Sequence, residues 1–381
     1  MKILMGESLA YHNITHVGSH TYADFFVGDG HDVFWLGGTL HALNLLRAWR
    51  GSTHDQQILE PWQRGGIKLQ EHFWTYLPFT LLPYRTAPLL NTVTTLRYTL
   101  DFTLPPVRNV LARYGFHDVD LLWIGQSHSS LSVLRQARYR KLMYRMMDNF
   151  SEFSDVPDSM KDAEDEIIAR ADTVLVTAHK LFEAAHAKGG DKVFYLPNGV
   201  HYEKFHITNA HEPADIAAIP HPRVLYVGMI ADWFDLDLVL YAAQTLPEYH
   251  FVVVGPTRIS LESLKGLPNV HLLGARPYDE IPHYMHFSDV GIMPFKKTPM
   301  TETINPIKIF EYFATGLPAV SVRLDELERL KSPALLSETP AEFVDALREV
   351  VRRGRGHAEF IDFAQNNSWQ KRYELIKSRM L

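Results

Sequence analysis

The sequence predicts an α/β protein of two doubly wound, Rossmann-like domains facing a cleft along the carboxyl edges of their strands. Three observations predict it. A β-α-β series begins at Lys2, and a second begins at Val224. Residues 206–223 between them are polar and proline-containing, as a linker is. The length, 381 residues, exceeds what one ordinary core accommodates. The expected layout is an N-terminal Rossmann-like domain over 1–205, the linker 206–223, a C-terminal Rossmann-like domain over 224–362 and a closing segment 363–381. The helix in that segment carries Trp369, Tyr373 and Ile376 on one face and is expected to cross back to the N-terminal domain.

Composition narrows the chemistry. Apolar residues make up 46% and charged residues 22%, which is ordinary globular usage. A net charge of −6 gives no bulk attraction to nucleic acid, and none is expected as a partner. The absence of cysteine excludes disulfides, thiolate catalysis and Cys-bound zinc. The 20 histidines form no His-x-x-x-His pair with a glutamate on a credible helix, so no metal is expected. The chain opens directly on a strand without a secretory signal, and no run is long enough to span a bilayer. A cytoplasmic location is expected.

In order, strand Lys2–Gly6 leads into a polar loop, Glu7–Asn13, and then Val17-Gly18-Ser19-His20. A helix spaced on Tyr22, Phe25 and Phe26 follows, a glycine turn at Gly28–Asp32, and strand Val33–Leu36. Gly18, Ser19 and His20 are cleft candidates, because a glycine there lets backbone approach a ligand; such a glycine also simply serves a turn. No G-x-G-x-x-G fingerprint is present. Residues 62–114 carry Trp62, Phe73, Trp74, Tyr76, Phe79, Phe102 and other aromatics with five prolines and mostly basic charges. Helices of that composition suit a membrane interface; ordinary helices packed on the sheet are the other reading.

Strand Asp120–Ile124 ends at Gly125–His128, which makes His128 a loop candidate for ligand contact. A basic helix is expected around Arg135, Arg138, Arg140 and Lys141, then a strand ending near Arg145 and Asp148. A carboxylate at that strand end can deprotonate an acceptor hydroxyl; a helix-capping aspartate is the reading that the residues alone favour. Strands Thr173–Thr177 and Val193–Leu196 and an Asn198-Gly199 turn complete this half.

The second series runs through strands Val224–Gly228, Phe251–Pro256, His271–Gly274 and Val290–Pro294, with helices near Asp237–Thr245 and Tyr278–Met285. It culminates in Asn305–Val320, NPIKIFEYFATGLPAV. Asn305 is expected to cap a helix that Pro306 opens, and Gly316 with Pro318 ends it. Lys308 and Glu311, three apart, share one face. Free N–H groups and a cation suit a diphosphate, and a carboxylate one turn on can accept both hydroxyls of a ribose. A solvated Lys/Glu pair on an amphipathic helix fits the same residues. The triplets Asp118-Val119-Asp120 and Asp235-Leu236-Asp237 read as structural acids.

Several stretches, taken in order, resemble the motifs of GT-B glycosyltransferases: GSHTYADFFVGDGHDVFWL (Gly18–Leu36), YRMMDNFSEF (Tyr144–Phe153), TVLVTAHKLFE (Thr173–Glu183), YLPNGVHYEKF (Tyr195–Phe205), YVGMIADWFDLDLV (Tyr226–Val239), PNVHLLGARPYDEIPHYM (Pro268–Met285), DVGIMPFK (Asp289–Lys296) and NPIKIFEYFATGLPAV. The resemblance spans nearly the whole chain. Within that superfamily the chain is similar to teichuronic-acid-type transferases and, in its first half, to membrane-associated glucuronosyltransferases of the xanthan type.

The resemblance implies a general base at Asp148, donor-phosphate binding at Lys308, nucleoside contact at Glu311 and a donor-site wall at Phe295. The remaining candidates are Asn305, Ile307, Gly228, Ile230 and Arg276 for the donor, and Gly18, Ser19, His20, His128 and Arg145 for the acceptor or cleft. Glu311 stands where the xanthan-type group has glutamine, and Thr303 where retaining relatives have a second glutamate, with Glu302 one residue off. Met229, Ile230 and Ala231 replace the basic residues that relatives carry after the Tyr-Val-Gly strand. The implied activity is metal-independent, inverting transfer of a sugar, glucuronic acid among the candidates, from a UDP-linked donor to a lipid-linked or polysaccharide-precursor acceptor. No cofactor beyond the nucleotide-sugar is implied, and the implied location is peripheral, on the inner face of the plasma membrane. A retaining transferase, a sugar-nucleotide epimerase and a non-catalytic glycan-binding protein are the alternatives.

Overall fold

A computed structural model describes residues 1–11, 18–50, 52–84, 90–147 and 157–380, the side chains of 53–55 excepted. The chain divides into two compact units: Met1–Leu196 together with Tyr373–Leu381, and Pro197–Arg372.

Among its described residues the first unit holds eight strands: β1 (Lys2–Gly6), β2 (Asp32–Leu36), β3 (Ile67–Gln70), β4 (Phe73–Tyr76), β5 (Asp118–Gly125), β6 (Arg138–Met146), β7 (Thr173–Val176) and β8 (Val193–Tyr195). They form one sheet in the order β3-β4-β2-β1-β5-β6-β7-β8. Neighbours are parallel except β3, which runs antiparallel to β4. The central strands are buried on both faces, so they read as continuous apolar runs rather than alternations.

Two expectations change here. Arg138, Arg140 and Lys141 lie on β6, not on a helix. The strand alternates at this end, and Arg138 and Arg140 reach Asp118 (3.3 Å) and Asp120 (3.5 Å) of neighbouring β5. Of the aromatic stretch 62–114, residues 67–76 form the β3–β4 pair rather than a helix, and Phe73 and Tyr76 are fully buried. Among the described residues short helices follow at Val93–Tyr98 and Val107–Arg113. The helix Trp369–Met380 reaches this unit from Tyr373 onward. Its Tyr373 is buried on Phe25 and Phe26 and donates to Asp29 (2.8 Å).

The second unit holds β9 (Arg223–Val227), β10 (His250–Val254), β11 (Val270–Gly274), β12 (Val290–Met293), β13 (Ala319–Val322) and β14 (Leu335–Ser337). All neighbours are parallel, in the order β11-β10-β9-β12-β13-β14. The order reverses direction between β9 and β12. In an open α/β sheet the loops leaving such a point diverge and leave a crevice at the carboxyl edge, where ligands bind. The helix Ile307–Ala314 connects β12 to β13 and therefore starts at that edge. Tyr312 fixes it to the sheet: its hydroxyl accepts from Val227 N (3.1 Å) and its ring lies where a Cβ on Gly291 would sit, 2.7 Å away. Ile216 and Ile219, within the stretch read as a linker, are buried in this unit's core. No helix among the described residues is long and apolar enough to cross a membrane.

Candidate functional site

The structure starts the Ile307 helix on Pro306, without a side-chain cap. Asn305 therefore does not cap it. Its Oδ1 accepts from Asn198 N (3.0 Å) and its Nδ2 donates to Glu326 (2.7 Å), so this buried amide ties the helix entrance to two other segments of the unit. In the first turn, Lys308 Nζ donates to Glu311 Oε2, as the spacing predicts. Glu311 is 2% exposed and Lys308 26%, so the pair sits at the mouth of the crevice with its carboxylate inward.

A third member was not among the sequence candidates. The hydroxyl of Tyr278 donates to Glu311 Oε1 (2.9 Å), and its ring lies 5.6 Å from Lys308 Nζ and 4.2 Å from Lys204 Nζ. Tyr278 as a whole keeps 41% of its surface in solvent while its hydroxyl is bonded to the buried Glu311. Burial and the adjacent Glu311 carboxylate raise the Tyr278 hydroxyl far above its ordinary range, which keeps it a hydrogen-bond donor. A tyrosine on a surface turn carries no sequence signal for this role.

The loops around this helix start are laced by backbone bonds. After β9, Gly228 N donates to Val254 O (3.0 Å) and Ile230 N to Pro256 O (2.9 Å). Asp235 N donates to Pro294 O (2.8 Å), Lys296 N to Trp233 O (2.8 Å), and Phe234 bridges Phe295. The structure thus brings Gly228, Ile230, Phe295, Ile307 and Lys308 to one strand edge. Ile230 and Phe295 are buried against the core there. Arg276 is engaged elsewhere: its guanidinium donates to Asp215 (2.6 and 3.0 Å), to Leu273 O (2.6 Å) and to the Tyr284 hydroxyl (3.0 Å). Those bonds from Arg276 and Tyr284 outweigh the effect of burial and lower the Asp215 carboxyl below its usual value. Asp235 caps the helix Leu236–Thr245 by accepting from Leu238 N (3.0 Å).

In the first unit, Asp148 lies outside the described residues. Gly18 opens the helix Gly18–Gly28, and Ser19 and His20 beside it are fully buried. The His20 ring packs on Trp35 (4.5 Å) and Tyr11 (5.5 Å). His128 stacks on Tyr84 (4.9 Å) with Nδ1 3.0 Å from Met160 Sδ. Arg145, 2% exposed, reaches Ser19 Oγ (3.4 Å) and lies over the Tyr22 ring.

Glu7, in what the sequence shows only as a polar loop, is 1% exposed at the end of β1. It accepts from Trp123 Nε1 (2.9 Å). Burial pushes its carboxyl from 4.5 up to about 7, against the opposing effects of Ser19, Arg145 and Trp123.

Residues 221–353, which include all six strands of the second unit's sheet, match the family of glycosyl transferases group 1. The chain is 29% identical over 309 residues to the putative teichuronic acid biosynthesis glycosyltransferase TuaH of Bacillus subtilis, covering 74% of this chain and 72% of that one. Among solved structures it is similar to sucrose-phosphate synthase of Thermosynechococcus elongatus, with a TM-score of 0.71, 15% identity, and coverage of 100% of this chain and 98% of that one. It is also similar to Anabaena HepE in complex with UDP, with a TM-score of 0.67, 15% identity, and coverage of 100% and 99%. Residues 221–353 thus carry a glycosyl transferases group 1 domain around the β9–β12 switch point, in a chain whose fold is GT-B.

Proposed function

We propose that the chain transfers a sugar from a UDP-linked donor to a lipid-linked or polysaccharide-precursor acceptor, with inversion and without a metal. The observation that carries this reading is the pair of Lys308, on the first turn of the helix at the switch point, with Glu311 one turn on. Lys308 and the free N–H groups of that turn offset charge developing on the leaving diphosphate. Glu311 receives the ribose hydroxyls. Asp148 takes the proton of the attacking hydroxyl, which strikes the anomeric carbon in line. The neighbour solved with UDP supports the choice of nucleotide. Glucuronic acid remains one candidate sugar beside neutral hexoses.

The test is a donor screen by calorimetry followed by transfer assays with NMR of the product. UDP binding and an inverted anomeric product support the reading; Asp148→Asn should lower turnover by about 10²- to 10⁴-fold. Unchanged turnover removes Asp148 from the mechanism. A second reading is retaining transfer for a cell-wall or exopolysaccharide, in which Glu311 acts the same way and Asp148 has no base role; similarity to a putative teichuronic acid biosynthesis glycosyltransferase supports the polysaccharide class that both readings share. A retained anomeric centre selects it.

The acceptor class implies contact with a membrane surface, and one face of the first unit suits it. The helix Ala42–Trp49 packs Leu45 and Ala48 against Leu40, Leu59, Leu77 and Phe79. Its other side exposes Leu43 (45%), Leu46 (39%) and Trp49 (83%), with Arg47 and Arg50 also exposed. Apolar side chains beside cations match the acyl boundary and anionic headgroups of a bilayer. Flotation with anionic vesicles checks this; protein that stays with the unbound fraction would remove it.

A further inference from the structure

Resting on the donor-site reading above, a charge problem arises at the helix start. Lys308, the cation there, is already paired with Glu311, and Glu311 is buried and bonded on both oxygens. The pair is close to neutral, while a nucleoside diphosphate brings about two to three negative charges. The loop leaving β9, Gly228-Met229-Ile230-Ala231, adds no cation.

The two loops that flank it do. On one side, the loop after β10 is bonded to it through Ile230 N→Pro256 O (2.9 Å) and Arg258 N→Ile230 O (2.8 Å), with Thr257 bridging Ile230. The approach is close enough that a Cβ on Gly255 would fall 1.8 Å from Gly228 O. On the other side, the loop after β12 is bonded through Lys296 N→Trp233 O (2.8 Å). Arg258 and Lys296 thus hang on backbone fixed to either flank of the β9 loop, and both are exposed. Among the described residues neither is ion-paired, although Asp232 is exposed on the same loop. The other cations of this unit's edge differ: Arg276 is held by Asp215, Lys297 by Glu338 and Lys204 by Asp279.

We propose that Arg258 and Lys296, carried by the loops on the two flanks of the cation-free β9 loop, are the additional phosphate-binding residues of the donor site. Arg258 offers a planar fork that matches phosphate oxygens in pairs, and Lys296 a point charge. Because the loops are tied by backbone bonds, little ordering of main chain is needed when the diphosphate arrives. The assignment moves the phosphate charge of this chain from the loop itself to its two neighbours.

The experiment is calorimetry of the full chain with UDP and with uridine, at low and raised salt, for the unaltered protein and for Arg258→Ala, Lys296→Ala and Lys308→Ala. Each of the first two substitutions is expected to weaken UDP roughly tenfold, leave uridine unchanged and flatten the salt dependence. Arg258→Gln, which keeps length and polarity, should lose affinity like Arg258→Ala, and melting temperatures should stay at the unaltered value because both side chains are exposed. UDP affinity within twofold of the unaltered protein for both flanking variants, with Lys308→Ala still weakened, overturns this assignment and leaves the donor-site reading intact. An unaltered protein that binds no UDP overturns the donor-site reading, and this assignment with it.

Discussion

Glu311 accepts from two partners of different kinds, a lysine and a tyrosine hydroxyl, and a ribose would meet a carboxylate already oriented by both. Glu311→Ala should therefore do two things. It should weaken UDP, and it should erase the preference for UDP over 2′-deoxy-UDP, read by competition calorimetry. A preserved ribose preference would detach Glu311 from the nucleoside. Glu7 makes a prediction in another variable. A folded-state carboxyl of about 7 against an ordinary 4.5 means that the folded protein holds this proton more tightly than the unfolded chain. That stability is present in full below about pH 4.5 and is lost as pH rises through about 7, reaching roughly 3 kcal/mol. Glu7→Gln should flatten this slope in denaturant melts between pH 5 and 8, and parallel curves for the two proteins would contradict it.

At the scale of elements, the close pass of two loops is the feature most sensitive to one methyl group. Gly255→Ala would drive a Cβ into the Gly228 carbonyl, and the loops must part or the strand end must shift. A cost of about 1–3 kcal/mol is expected, seen as a lower midpoint in urea, with UDP affinity falling as well. The helix Ala42–Trp49 gives the opposite pattern. Trp49→Ser should leave the melting temperature unchanged, because the ring is 83% exposed, while vesicle flotation falls several-fold. Equal flotation would place the membrane contact elsewhere.

Elements also show what could be read from residues alone. Long buried runs such as Val224–Val227 and Phe251–Val254 are plain in the chain because β-branched and aromatic residues sit side by side between turns. The β3–β4 pair is not, since four-residue strands offer only two alternations and Trp and Tyr suit helix, strand or membrane equally. The Lys308–Glu311 pair is legible from spacing. Tyr278 is not, because its partner is 33 residues away. Asn305 misleads for a related reason: an amide before Pro306 looks like a cap, and only the fold shows that Asn198 and Glu326 claim it.

For the molecule as a whole, ligand and stability are linked. At a hundredfold excess over its dissociation constant, UDP should add about 2.7 kcal/mol to whichever folded unit binds it. Hydrogen exchange should then slow in residues 228–235, 255–259 and 294–311. Protection confined to the first unit would refute the donor assignment. Chain connectivity carries a further consequence. The first unit takes strands from residues before 197 and then Tyr373 and Ile376, both buried, from the far end of the chain. During synthesis its hydrophobic surface around Phe25 and Phe26 stays uncovered while the ribosome makes the whole of the intervening unit. A fragment cut at Leu196 should thus emerge sticky, and supplying residues 369–381 as a separate peptide should rescue its solubility.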